Sequence, residues 1–336
     1  MMGKILSNTL KVVFLLVMVP VAVPASRAVP VEPPPPYLLD WGAPGHAPGR
    51  FSSPYHAEVA PNGFVYVADT KNHRVQVFDA FGNYRDGWGG FGTAAGEFNQ
   101  AVGLAVDPDG NVFVADAGNH RIQKFTATGD FLLEWGGQGS DVGLFSLPRD
   151  VACDGLGNVY VADGYNRRIQ KFTGEGVFLA AWGSAGSGAG QFDDPWALAT
   201  DGWNFVYVVD WPNHRVEQFD LDGTYRASWG GIGAGEGEFF KPRGVACDNA
   251  GNVYVADDGN YRVQKFNSAG LFLTQWGSYG SEPGRFLSVF GIACDHFKNV
   301  YVVDGAQNRV QKFGEAPVAV EASTWGRIKR SFANGR

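Results

Sequence analysis

Three histidines, His73, His120 and His214, and three cysteines, Cys153, Cys247 and Cys294, are the first side chains to test for chemistry in this 336-residue chain. Three imidazoles with an open fourth position make a catalytic zinc centre, and thiols suit a disulfide where the compartment is oxidising. A second set is built for recognition. Trp196 and Trp211, with Arg149 and Arg243, combine stacking aromatics with cations, which suits an acidic sugar, a peptide carboxylate or an aromatic residue of a partner. A third set, His56, Glu58 and Asp150, is polar on segments otherwise made of Ala, Val, Leu, Ile and Cys. No Ser-His-Asp arrangement, Gly-rich phosphate loop or metal-ligand cluster can be placed in the sequence.

The elements that position these residues follow from a repeat. Asp69, Asp116, Asp163, Asp210, Asp257 and Asp304 each end a Val-Ala-Asp or Val-Val-Asp stretch, and successive members are 47 residues apart. Trp41, Trp88, Trp135, Trp182, Trp229 and Trp276 keep the same spacing, each followed by Gly. A period of this length marks a repeat architecture. Within one unit, Val102 to Asp107, Asn111 to Asp116, His120 to Phe125 and Phe131 to Trp135 are short β-branched and aromatic runs separated by Asp-Pro-Asp-Gly and Thr-Ala-Thr-Gly turns. Four strands per unit and six units predict an all-β, six-bladed β-propeller of four-stranded antiparallel blades. The last unit stops at Gly314 without its Trp-bearing strand, and Tyr37 to Gly42 supplies one ahead of the first. The N-terminal strand is therefore expected to complete the last blade and close the ring.

Asp-Ala-Gly-Asn-His-Arg-Ile-Gln-Lys-Phe (Asp116 to Phe125), preceded by Gly103 to Asp107 and Gly110 to Ala115, resembles the NHL repeat. The resemblance runs from Tyr37 to about Phe313 and implies a six-bladed propeller. It implies little about activity, since NHL propellers include binding scaffolds, RNA-binding modules and enzymes.

Positions alike in every unit are read as scaffold. The strand-ending Asp, the Asn or Gln three residues on and the Arg five residues on are expected to cap the loop and pair across it. The periodic Trp residues are expected to pack between blades. His73, His120 and His214 fall on third strands, roughly 10 Å outside the innermost ones at about 4.8 Å per strand, so they cannot converge on one ion. Cys153, Cys247 and Cys294 occupy equivalent innermost-strand positions and read as small buried hydrophobes, not disulfides.

A site is sought where the repeat is broken on the face shared by the long loops entering the innermost strands and the loops after the second strands. At the entry position the ring reads Tyr55, Val102, Arg149, Trp196, Arg243 and Phe290. Blade four stands out, with Trp196 at entry and Trp211 after its second strand, between Arg149 and Arg243. Tyr55, Asp150, Tyr165 and Asp194 complete the candidate ligand-binding set. The main expectation is a binding or scaffold module presenting this Gly-rich face to a peptide, glycan or protein partner, with no catalytic residue, cofactor or metal. The alternative is a lyase- or lactonase-type propeller enzyme using His56 and Glu58 in the central channel, and a divalent metal belongs to that alternative alone.

The ends of the chain suggest an address. Lys4 and Lys11, an apolar stretch from Val12 to Val23 and Ala25-Ser26-Arg27-Ala28 read as a signal peptide over residues 1–28. The stretch is shorter than the roughly 20 residues a spanning helix needs, so an exported protein, periplasmic or extracellular, is expected, with no membrane span after cleavage. Residues 29–36 read as a stiff Pro-rich spacer, 37–314 as the propeller, expected to be monomeric, and 315–336 as a basic tail in which Trp325, Ile328 and Phe332 fall at helical spacing. With 27 Lys and Arg against 34 Asp and Glu the net charge is −7, which disfavours nucleic acid as a partner. The 47 glycines and 45% hydrophobic content exclude a coiled coil or a disordered chain.

Overall fold

The structure is a computed structural model and describes residues 32–314. The expected signal peptide and basic tail lie outside these residues. The described chain forms six four-stranded antiparallel sheets. Blade two is representative, with strands Ala101–Val106, Val112–Asp116, Arg121–Phe125 and Phe131–Gly136 in that order from the axis outward. Every residue of its second strand is buried, whereas the fourth is mostly exposed. A second strand packs between two neighbouring blades, so both of its faces are apolar and it reads as a continuous hydrophobic run.

Closure occurs as expected. Tyr37–Trp41 pairs antiparallel with Arg309–Phe313, setting Leu39 opposite Lys312 and Trp41 opposite Val310, and becomes the outer strand of blade six. Asp40 and Arg309 add an ion pair across the seam at 3.1 Å. Ahead of this strand the Pro-rich segment docks rather than hangs free: the Glu32 amide donates to the Leu273 carbonyl at 2.9 Å, and its carboxylate pairs with Lys265.

Each periodic Trp lies against a Phe of the next blade's third strand, as Trp88 does on Phe125 with ring centroids 5.6 Å apart. The turn glycine beneath is part of the fit. Gly129 has φ +87°, and a Cβ there would stand 2.6 Å from the Trp88 ring.

The strand-ending Asp is the hub of each blade. Asp116 accepts from Asn119 Nδ2 and Arg121 Nε at 2.8 Å and from the Asn99 amide at 2.7 Å. Arg121 then reaches the carbonyls of Thr93, Ala94 and Glu97. A single carboxylate thus pins the long entry loop onto the blade below it. The three histidines belong to the same device, with one correction. They are not on third strands but are the left-handed residues just before them, with φ 54–57°. Their Nδ1 atoms accept the amides of Gln100, Leu147 and Lys241 at 3.0–3.1 Å. Asn and His tolerate this conformation better than most residues.

Candidate functional site at the loop-face mouth of the channel

Pro195–Thr200, the inner strand of blade four, carries Trp196 at its entry, and Trp211 follows Asp210 at the end of the second strand. The two rings meet at 5.1 Å and 31°. Arg149 and Arg243 occupy the same entry position on the inner strands Pro148–Cys153 and Pro242–Cys247 of the flanking blades. Their guanidinium carbons lie 4.1 Å and 5.4 Å from the Trp196 ring centroid, one from each neighbouring blade. Each cation is anchored by a carboxylate, Arg149 by Asp194 and Arg243 by Asp258, both at 2.9 Å. Arg149 also lies 5.1 Å from the ring of Tyr165, which is 60% exposed. Burial raises the Asp194 carboxyl and Arg149 opposes the shift.

Tyr55 belongs to blade one, three blades from Trp196 and so opposite it in a six-membered ring. Their centroids are nevertheless 6.3 Å apart, and Phe290 lies 5.2 Å from Tyr55. Aromatic rings from opposed blades therefore meet over the axis and close the channel on this face. Two glycines make the close approach possible. A Cβ at Gly164 would fall 2.7 Å from the Arg149 side chain, and one at Gly305 would fall 2.3 Å from Phe290.

Of the residues singled out by breaks in the repeat, Trp196, Trp211, Arg149, Arg243, Tyr165, Asp194 and Tyr55 are brought together. Asp150 is not part of the surface. It is 3% exposed and lies beneath the aromatics, where its carboxylate accepts the Val151 and Leu198 amides at 2.9 Å. Phe290, Asp258 and Lys241 belong to the cluster and were not singled out. The signal was present for two of them: Phe290 shares the entry position, and Asp258 shares the loop position that Trp211 fills in blade four.

Below the aromatic closure a cavity of about 90 Å³ runs along the axis, lined by His56, Glu58, Thr200 and the three cysteines among aliphatic residues. It has room for a few waters. The His56 Nδ1 accepts the Leu104 amide at 3.2 Å. Burial, reinforced by Asp150, pushes the Glu58 carboxyl up to about 8. The cysteines are free thiols that line this cavity rather than lying wholly within the apolar core, and burial raises each of them. These residues do not fit a metal. Both Asp150 oxygens and one His56 nitrogen are committed to backbone amides, and among the described residues no three His, Cys, Asp or Glu side chains group to hold an ion.

The NHL repeat model matches residues 58–78, 98–125, 145–172 and 239–266. The corresponding stretches of blades four and six are not among the matches. Solved structures share the fold at low identity. A Bacteroides thetaiotaomicron protein of unknown function is 18% identical, with TM-score 0.63, over 82% of this chain and 74% of that one. A gluconolactonase from Xanthomonas campestris is 15% identical, with TM-score 0.59, over 84% and 98%. A streptogramin B lyase is 13% identical, with TM-score 0.57, over 82% and 96%. No curated protein sequence matches the chain. Four matched repeats, six blades and a ring closed by its own N-terminal strand identify the chain as a six-bladed propeller of NHL repeats.

Proposed function

We propose that this propeller is a binding module whose loop face, centred on Trp196, Trp211, Arg149 and Arg243, takes a peptide, glycan or protein partner bearing an acidic group. The observation that carries this reading is the Trp196 ring held between two guanidinium groups, each fixed from outside by a carboxylate. Such anchoring preorganises the aromatic and cationic surfaces, so little side-chain entropy is lost when a ligand arrives. Arg149 commits Nε and Nη2 to Asp194, and its remaining donors suit a ligand carboxylate or hydroxyl. The half-buried indoles offer a stacking surface to a sugar or an aromatic side chain. Export to the periplasm or beyond would place this face among such partners.

Calorimetric titration against acidic and neutral oligosaccharides and against peptides with a free carboxylate tests the proposal. Trp196→Ala and Arg149→Ala should each weaken the responding ligand at least tenfold, with chelators and His56→Ala having no effect. Unchanged affinity in both loop-face variants would remove the site.

A lyase- or lactonase-type enzyme is the second reading, favoured by one observation, the Glu58 carboxyl in the channel cavity. The fold shared with a streptogramin B lyase and a gluconolactonase is compatible with it. Against it stand the aromatic closure above Glu58 and the commitment of His56 and Asp150 to backbone amides. An activity lost in Glu58→Gln but kept in Trp196→Ala would favour this reading.

A further inference from the structure

The third strands carry a second regular feature, and blade four breaks it. Two residues after the Arg repeated in every blade, the other five blades place Gln76, Gln123, Gln170, Gln264 and Gln311. In each, the amide oxygen accepts a loop glycine N–H at 2.9 Å, from Gly49, Gly96, Gly143, Gly237 and Gly284. The amide nitrogen donates to an entry-loop carbonyl at 2.7–2.8 Å. Blade four has Glu217 instead, on Arg215–Asp220. Its side chain is 0% exposed, as is that of Asp210 beside it, and the two share Arg215.

We propose that Glu217 is a proton-dependent latch, whose protonated carboxyl replaces the missing Gln amide and holds the blade-four entry loop that delivers Asp194 to the loop-face site. The consequence for ligand binding rests on the binding reading above, whereas the latch itself does not.

The charges explain why a proton is needed. Facing Glu217 are Asp210 from the second strand and Arg215 from its own strand. From the loop the Gly190 amide faces it and favours the charged form, and its outer-strand partner is the uncharged Ser228. Asp193 turns outward toward Arg167. Ionised, Glu217 leaves two buried carboxylates to one guanidinium and no donor where the other blades have an amide. Protonated, it is neutral and again a donor. Burial, reinforced by Asp210 and opposed by Arg215 and the Gly190 amide, pushes it up to about 7.

The loop is also held differently. Arg74, Arg121, Arg168 and Arg262 each give Nε to their Asp at 2.8 Å. Arg215 leaves Nε without a partner and splits Nη2 between Asp210 at 3.3 Å and Glu217 at 2.9 Å. Asp210 in turn divides its grip between the Asp193 and Asp194 amides at 3.1 and 3.4 Å, where Asp69, Asp116, Asp163 and Asp257 each hold one amide at 2.7 Å. Blade six shares the divided grip but keeps Gln311. Arg309 of blade six likewise leaves Nε without a hydrogen bond, and part-exposed outer-strand carboxylates, Glu134 and Asp40, pair with Arg121 and Arg309; what is specific to blade four is a fully buried second carboxylate standing at the Gln position. The guanidinium it competes for carries the Ser187, Gly188 and Gln191 carbonyls of the loop.

Hydrogen exchange read by mass spectrometry on the full chain and on Glu217→Gln tests the latch, since glutamine is the residue the other blades already accommodate. Corrected for the chemical exchange rate, residues 187–194 should exchange about tenfold faster at pH 8 than at pH 6 in the parent chain and equally at both in the variant. The thermal midpoint should fall from pH 5 to pH 8 more steeply in the parent than in Glu217→Gln. The sign follows from a raised carboxyl, which contributes its stability below the unfolded value near 4.5 and loses it as pH rises through about 7. Identical pH profiles in the two proteins would overturn the latch. A working latch with affinity unaffected by Trp196→Ala would leave it standing and remove only the binding reading.

Discussion

At the scale of single residues, the buried hub carboxylates and the surface ion pairs separate clearly. Asp163 is fully buried and accepts from Arg168, Asn166, Gln170 and the Ser146 amide. Asp163→Ala takes the shared acceptor from Arg168, Asn166, Gln170 and the Ser146 amide at a buried hub, and denaturant unfolding should show a loss of about 3–5 kcal/mol. Arg85→Ala removes an exposed pair with Asp79 and should cost under about 1 kcal/mol. Glu58 gives a pH test at the same scale. Its folded value near 8 lies above the ordinary 4.5, so its stabilising proton is present at low pH and lost as pH rises through about 8. Glu58→Gln should flatten the decline in thermal midpoint between pH 5 and pH 9, and a decline of unchanged slope would contradict that placement. What the sequence made legible here were departures from the period: Trp196, Trp211, Arg149 and Arg243 stood out and do meet. What it could not convey was direction. Asp150 and Arg149 are adjacent in the chain, yet one caps amides under the closure and the other stacks on Trp196, because successive strand residues face opposite ways.

At the scale of elements, each blade depends on tight turns and on contacts its neighbour requires. Gly110 and Gly129 share φ +87°, but a Cβ at Gly110 meets nothing within 4 Å and one at Gly129 strikes Trp88 at 2.6 Å. Gly110→Ala should cost the backbone penalty of about 1–2 kcal/mol, and Gly129→Ala about 1–3 kcal/mol more for the overlap. Equal costs would deny the Trp its role as inter-blade packing. Gly164→Ala should act on the site instead, pushing Arg149 away from Asp194 and weakening ligand with little change in unfolding. Strand order and boundaries were legible to within a residue or two because turn chemistry repeats in every blade. The histidines were misplaced by one step because a left-handed residue at a loop end looks, in sequence, like the first residue of the strand it precedes.

At the scale of the molecule, the ring is the unit of stability. Removing residues 1–42 would leave blade six with three strands and Arg309–Phe313 as an open edge, which invites pairing with another chain. Such a truncation should lower the thermal midpoint and form oligomers visible by light scattering, whereas a monomeric truncated protein of parent stability would show that closure is dispensable. Architecture was readable because six copies of one pattern leave few alternatives. The meeting of Tyr55 with Trp196 over the axis was not, since it depends on how far two side chains from opposed blades reach. Under the proposed binding reading, that closure would direct recognition to the outer surface of the loop face rather than into the channel, and the sharpest test is a thermal-shift comparison of the parent chain with Trp196→Ala and His56→Ala. Against acidic and neutral glycans, peptides and divalent metals, a glycan or peptide should stabilise the parent and His56→Ala alike, by about 2.7 kcal/mol at a hundredfold excess over Kd, and fail to stabilise Trp196→Ala. Stabilisation by a divalent metal that survives in Trp196→Ala and vanishes in His56→Ala would contradict it.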